Sequence, residues 1–149
     1  MLNILILDDE NMSRMAMESL FINYGTCKLF STGKLAIQVF IDCFDTKDPF
    51  GLIILDISLE NENGVDILKL IRLFEKISGV AKENQSVIMM ATGNSETDII
   101  TECVKEGCDD YLVKPLKKKI VAAKMEKYNF EPLKSGGLDH RFGHLKTGI

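Results

Sequence analysis

Short runs that are apolar at nearly every position recur between segments of helical period, and this alternation limits the possible folds more than any other feature. Residues 2–7 are apolar except for Asn3, residues 52–55 hold no polar side chain, and residues 87–91 read Val-Ile-Met-Met-Ala. A strand with one wet face alternates polar and apolar residues, whereas a run apolar throughout is covered on both faces. Shorter runs at 27–30 and 111–113 complete a set of five. Helical segments separate them. In the first, Met12, Met15, Ala16, Ser19, Leu20 and Asn23 fall on one face, and Tyr24-Gly25 predicts a glycine-capped end. Further helices are expected over 34–44, over 65–77 with Ile67, Leu68, Ile71, Phe74 and Glu75 marking the period, from a cap at Ser95 to Gly107, and over 116–128. Five strands in strict alternation with five helices predict an α/β fold: a doubly wound parallel sheet between two helical layers.

Such sheets carry their sites beyond the carboxyl ends of the strands. Those ends form a compact chemical set. The first strand ends in Asp8-Asp9, the third in Asp56, the fourth in Thr92, and the fifth in Lys114-Pro115. Three carboxylates on one edge repel each other unless a cation intervenes. Oxygen ligands that leave room for water and phosphate describe Mg²⁺ (or Mn²⁺) better than zinc. An aspartate can form an acyl phosphate, an ammonium such as Lys114 offsets charge on the transferring group, and the Thr92 hydroxyl can donate to a phosphoryl oxygen. Any one of these residues alone is an ordinary turn residue. The set as a whole reads as a site for phosphoryl transfer onto Asp56.

The Asp8-Asp9 pair, Leu55-Asp56, Ala91-Thr92-Gly93 and Tyr111-Leu112-Val113-Lys114-Pro115 resemble the receiver domains of two-component response regulators, over residues 2 to about 128. The resemblance implies a flavodoxin-like strand order of 2-1-3-4-5. It also implies that Asp56 is the phosphoacceptor, fed by a sensor histidine kinase or a phosphotransfer protein in a phosphorelay. Asp9, Asp56 and the Ser58 carbonyl would ligate Mg²⁺, with Asp8 helping directly or through water. Lys114 and Thr92 would hold the phosphoryl group. Tyr111 would follow Thr92 as a switch aromatic, altering the surface of the fourth helix, fifth strand and fifth helix that a downstream protein reads. Pro115 would follow a cis peptide bond. There are departures: Glu60 stands where receivers often carry proline, and the interval from Asp56 to Thr92 is longer than in compact relatives, the excess falling within 74–85. Ser58 and Asn94 occupy positions that tune water access.

Charge divides the chain. Residues 1–113 carry nine basic against nineteen acidic side chains, a net of −10, while 114–149 carry nine against three, a net of +6. The acidic body would repel a phosphate backbone and no recognition motif accompanies the lysines, so direct DNA binding is not expected and a solvated helix face is. Cys27, Cys43, Cys103 and Cys108 lack metal or redox spacing and read as free thiols. With no basic leader and no apolar run of membrane-spanning length, a cytoplasmic protein is expected.

Residues 129–149 hold four glycines and little periodicity, predicting a flexible tail without an output domain. His140 and His144 are four apart, but Gly143 between them favours solvated tail over a metal site. A monomer or a phosphorylation-linked homodimer is expected. The competing readings are an interaction module indifferent to phosphorylation and an aspartyl-phosphate phosphatase. The phosphatase would want a second acid where Ser58 stands. Flavin binding fails on the charge of Asp8-Asp9-Glu10. Beyond phosphorylating and dephosphorylating itself, no turnover of an external substrate is expected.

Overall fold

The computed structural model describes residues 1–93 and 97–134. The elements are β1 (Leu2–Leu7), α1 (Asn11–Phe21), β2 (Gly25–Phe30), α2 (Gly33–Phe44), β3 (Leu52–Asp56), α3 (Gly64–Ile77), a short 3₁₀ turn (Lys82–Asn84), β4 (Val87–Thr92), α4 (Thr97–Lys105), β5 (Asp110–Val113) and α5 (Lys118–Lys127). All strand pairs are parallel, in the order β2-β1-β3-β4-β5. This is the doubly wound, flavodoxin-like α/β arrangement with five helices.

The period of two along each strand divides the core. Leu5, Leu7, Ile53, Leu55, Ile88 and Met90 face a layer that includes Ala36 and Phe40 of α2, Leu68 and Ile71 of α3, and Cys103 of α4. Ile4, Ile6, Leu52, Ile54, Met89 and Leu112 face Met17 and Phe21 of α1 and Val121 and Met125 of α5. Both faces of β3 are therefore dry. Its register sets the site: Leu7 pairs with Leu55, so Asp8 and Asp56 come level at neighbouring strand ends.

Three expectations are corrected. The stripe of Met12, Met15, Ala16 and Ser19 is exposed, and Met17 and Phe21 bury α1 instead. Phe21 supplies more apolar surface than either exposed methionine could, so burial is greatest with that face inward. Gly25 is not a left-handed cap but the first residue of β2. A side chain there would strike the Leu2 carbonyl, so glycine answers a close backbone approach. The last helix begins at Lys118 rather than Leu116. Gly107 does end α4 with φ of +105°.

Residues 129–134 lie against the fold. The Leu133 N–H donates to the Asn23 carbonyl at 2.7 Å, and Phe130 packs on the α1/α5 layer. The remainder of the expected tail, including His140 and His144, lies outside the described residues, as do Asn94 and the Ser95 cap. Between α3 and β4 the chain turns at Gly79 (φ +73°) and passes through the 3₁₀ turn, so the 74–85 stretch is helix end followed by surface loop. All four cysteines are free thiols. Among the described residues no helix is long and apolar enough to cross a membrane.

Candidate functional site

Asp8, one residue past β1, is fully buried. Its carboxylate accepts from the Glu10 N–H at 2.9 Å, the Ser13 hydroxyl at 2.5 Å and Lys114 Nζ at 2.7 Å. Arg14 Nη1 donates to the Asp8 carbonyl at 2.7 Å and holds the strand end against the first turn of α1. Asp56, the last residue of β3, is buried too. Its Oδ1 accepts from the Ser58 N–H at 3.1 Å, and its Oδ2 lies 3.2 Å from Lys114 Nζ. Asp9 is half-buried and accepts from the Glu60 N–H at 2.5 Å. Oxygens of Asp8, Asp9 and Asp56 lie within 4.8 Å of one another.

The loop from Ser58 to Asn63 folds back over the edge. Gly64 starts α3 directly on the Asp56 carbonyl, where a Cβ would collide with it, and its N–H donates to the Ile57 carbonyl at 3.0 Å. Glu62 reaches from this loop to accept from the Gly33 N–H at 2.7 Å, meeting one of the unsatisfied donors at the start of α2. The Glu60 position is informative. Proline has no N–H, so the backbone donor that fixes Asp9 exists because this residue is not proline.

The electrostatics are lopsided. Burial raises the Asp8 pKa, but the hydrogen bonds from Lys114, Ser13 and the Glu10 N–H outweigh it, and the carboxyl sits below its ordinary value. Asp56 goes the other way: burial pushes it up, Asp8 adds repulsion, and Lys114 offsets only part of this. Burial works against the Lys114 ammonium, yet Asp8 and Asp56 hold its pKa above the ordinary lysine value. One ammonium shared by two buried carboxylates leaves one negative charge short of balance.

Thr92 ends β4, buried, and its carbonyl accepts from the Lys114 N–H at 2.7 Å. The Lys114–Pro115 bond is cis. Tyr111 is half-buried on the α4 side of β5, with Lys124 Nζ 5.1 Å from its ring centroid. The structure thus gathers Asp8, Asp9, Asp56 and Lys114 at one point. Ser58 is exposed in the adjoining loop, and Thr92 and Tyr111 sit on the neighbouring strands. Sequence reasoning missed Ser13, Arg14 and Glu62. For the first two the signal was their place in the turn immediately after Asp8-Asp9-Glu10.

The family profile of the response regulator receiver domain matches residues 4–126. The chain belongs to this family. Response regulator ArlR of Staphylococcus epidermidis is 33% identical over 117 residues, covering 77% of this chain and 47% of the relative. The transcriptional regulatory protein CitT of Halalkalibacterium halodurans is 26% identical over 125 residues, covering 84% and 51%. The receiver therefore spans about half the length of these curated relatives. A chain in the co-crystal structure of the Saccharomyces cerevisiae phosphotransfer protein Ypd1 with the receiver domain of Ssk1 shares the fold. Its TM-score is 0.74 and its identity 23%, covering 85% of this chain and 88% of that one. A chain of the CheX–CheY–BeF3–Mg complex of Borrelia burgdorferi has a TM-score of 0.70 at 20% identity, covering 85% and 89%.

Receiver domains as a family are phosphorylated on aspartate with Mg²⁺ bound at an acidic pocket, and they interact with histidine kinases and phosphotransfer proteins. The donor set here fits such an ion. It consists of hard carboxylate oxygens on one edge, with a charge surplus that one lysine does not cancel.

Proposed function

We propose that this receiver accepts a phosphoryl group on Asp56 from the phosphohistidine of a sensor kinase or phosphotransfer protein and that this switches the surface of α4, β5 and α5. The observation that carries the reading is Lys114 Nζ held between Asp8, at 2.7 Å, and Asp56, at 3.2 Å. A carboxylate oxygen of Asp56 attacks phosphorus, the phosphorus–nitrogen bond breaks, and the freed imidazole nitrogen keeps the electron pair. Lys114 neutralises charge on the phosphoryl oxygens, and the Thr92 hydroxyl donates to one of them. Asp9, Asp56 and the Ser58 carbonyl, with Asp8, would hold Mg²⁺ or Mn²⁺. That cation would supply positive charge that, with Lys114, offsets the negative charge of the transferring group.

Burial of Asp56 between dry strands fixes its orientation before the donor arrives, which lowers the entropic part of the barrier. The added phosphoryl charge then biases Thr92 and Tyr111, which lie on the α4 side of the sheet, toward one of two arrangements. A downstream protein that binds one arrangement reads the signal. We assign the work to the cytoplasm, with the domain spanning 1–128, as a monomer or a phosphorylation-linked homodimer.

The test is intact-mass measurement after incubation with Mg²⁺ and a small phosphodonor. A single phosphate-sized adduct is expected, absent in Asp56→Asn and in samples treated with a chelator. An adduct that persists in Asp56→Asn sinks the assignment. No adduct at all favours a phosphorylation-independent module.

A further inference from the structure

α3 carries an apolar surface that neither the sheet nor its neighbouring helices use. Its core side is Val65, Ile67, Leu68, Ile71 and Glu75, all buried. On the opposite side Leu70 is 50% exposed, Leu73 51% and Ile77 75%. The spacing of three then four residues aligns these side chains in one stripe, as the a and d positions of a heptad do. Single exposed leucines need no explanation, but three in register on successive turns mark a contact surface.

The flanks of the stripe decide what it fits. With Leu70 and Ile77 at a and Leu73 at d, the g positions are Lys69 and Lys76, both exposed. Among the described residues neither lysine forms an ion pair. The e positions, Ile67 and Phe74, face the core side and carry no charge. A second copy packed antiparallel would set Lys69 against Lys76 of the other copy, like charge on like charge. A second copy packed parallel would find no acid at the e positions. The two lysines stand out in a body that is otherwise strongly acidic.

We propose that the outward face of α3 is a docking seam for an amphipathic helix of another protein, one whose apolar stripe is flanked by glutamate or aspartate. Leu70, Leu73 and Ile77 take the apolar stripe, and Lys69 and Lys76 select the acidic flank and set its direction. α3 packs beside α4, but the side chains of the seam lie on its outward face and none belongs to α4, β5 or α5, so such a partner is held whether or not Asp56 carries a phosphoryl group.

Fluorescence anisotropy on the full chain tests this with two dye-labelled synthetic helices, each with leucine along one face. One has glutamate on both flanks and the other lysine. The glutamate helix is expected to bind about tenfold more tightly or better. Lys69→Glu combined with Lys76→Glu should reverse the preference, and Leu73→Lys should abolish binding while the circular dichroism spectrum is unchanged. Asp56→Asn should leave the affinity as it was. Equal affinity for both helices, or no saturable binding of the glutamate helix, overturns the proposal. So does a concentration-dependent dimer in sedimentation that Leu73→Lys removes, because the occupant is then a second copy.

Discussion

The two edges of the sheet are built from the same residue types and treat charge in opposite ways. At the amino-terminal edge Arg72 reaches from α3 across the starts of β4 and β5. It donates to Glu75 at 2.7 Å, to the Ser86 carbonyl at 2.8 Å, to the Gly107 carbonyl at 2.8 Å and to Asp109 at 2.9 Å. The second oxygen of Glu75 accepts from the Ser86 N–H, and Asp109 also accepts from the Ile88 N–H. Asp110 beside them is met by Lys124 at 2.6 Å and Lys127 at 3.0 Å. Glu75, Asp109 and Asp110 thus each have a cation. At the carboxyl edge three carboxylates gather near one ammonium, which pairs with Asp8 and Asp56 but not with Asp9, and Arg14 is engaged by the Asp8 carbonyl and Asn11. Closed networks rigidify a fold, whereas an edge left with surplus charge is a place where an incoming cation and a phosphoryl group change the balance.

The contrast breaks most visibly at Arg72. The Glu75 side chain is 2% exposed, so Arg72→Met leaves a buried carboxylate with only the Ser86 N–H. The expected cost is about 3–5 kcal/mol in urea denaturation, the range for removing one member of a buried pair. Combining Arg72→Met with Glu75→Leu should recover much of that loss, since both charges then go. A cost for the single variant no larger than an exposed substitution would mean that the two edges do not differ as drawn.

This edge was also the part least legible beforehand. An arginine and a glutamate three apart on a helix read as an ordinary surface pair; their burial depends on Ser86 and Asp109, which arrive from other elements. The carboxyl edge was legible because its residues sit at consecutive strand ends, and strands apolar on both faces are easy to bound. Helical period alone did not orient α1, because Met12 and Met15 compete with Met17 and Phe21 and only packing on the sheet decides. Gly25 was misread for a related reason: a cap and a close backbone approach leave the same letter. The Glu60 N–H that fixes Asp9 could not be read at all, since backbone donors have no signature beyond the absence of proline.

A smaller effect of opposite sign is expected at Asp56. Its pKa is raised by burial and by Asp8, so without metal the folded state holds that proton more tightly than the unfolded chain does. Metal-free stability should therefore decline as pH rises from the ordinary carboxylate range, about 4, through the raised value. Asp56→Asn removes the repulsion, should stabilise the metal-free protein by roughly 1 kcal/mol, and should erase that decline. Asp8 and Asp110 are shifted down, Asp8 by Lys114 and Ser13 and Asp110 by Lys124, each against burial. Their contribution is fully present above the ordinary carboxylate pKa and is lost as pH falls from there through the lowered folded-state values. The acid limb should thus survive in Asp56→Asn. Chemical denaturation in chelator across pH separates the two limbs, and a destabilised Asp56→Asn would contradict the surplus-charge account.

Asp9 gives the sharpest version of the comparison because structure and function should separate there almost completely. It is half-buried and its one described hydrogen bond comes from the Glu60 N–H, which an amide oxygen can accept as well. Asp9→Asn should therefore change metal-free stability by no more than about 0.5 kcal/mol. The same change removes one of three carboxylate charges from the candidate cation site, and should weaken Mg²⁺ binding by about tenfold or more. Melting temperature followed through a Mg²⁺ titration reads both quantities at once: the two proteins should start together and diverge as Mg²⁺ is added. Curves that stay superimposed would remove Asp9 from the metal site. Curves already separated before any Mg²⁺ would mean that Asp9 holds the fold, as the carboxylates of the opposite edge do.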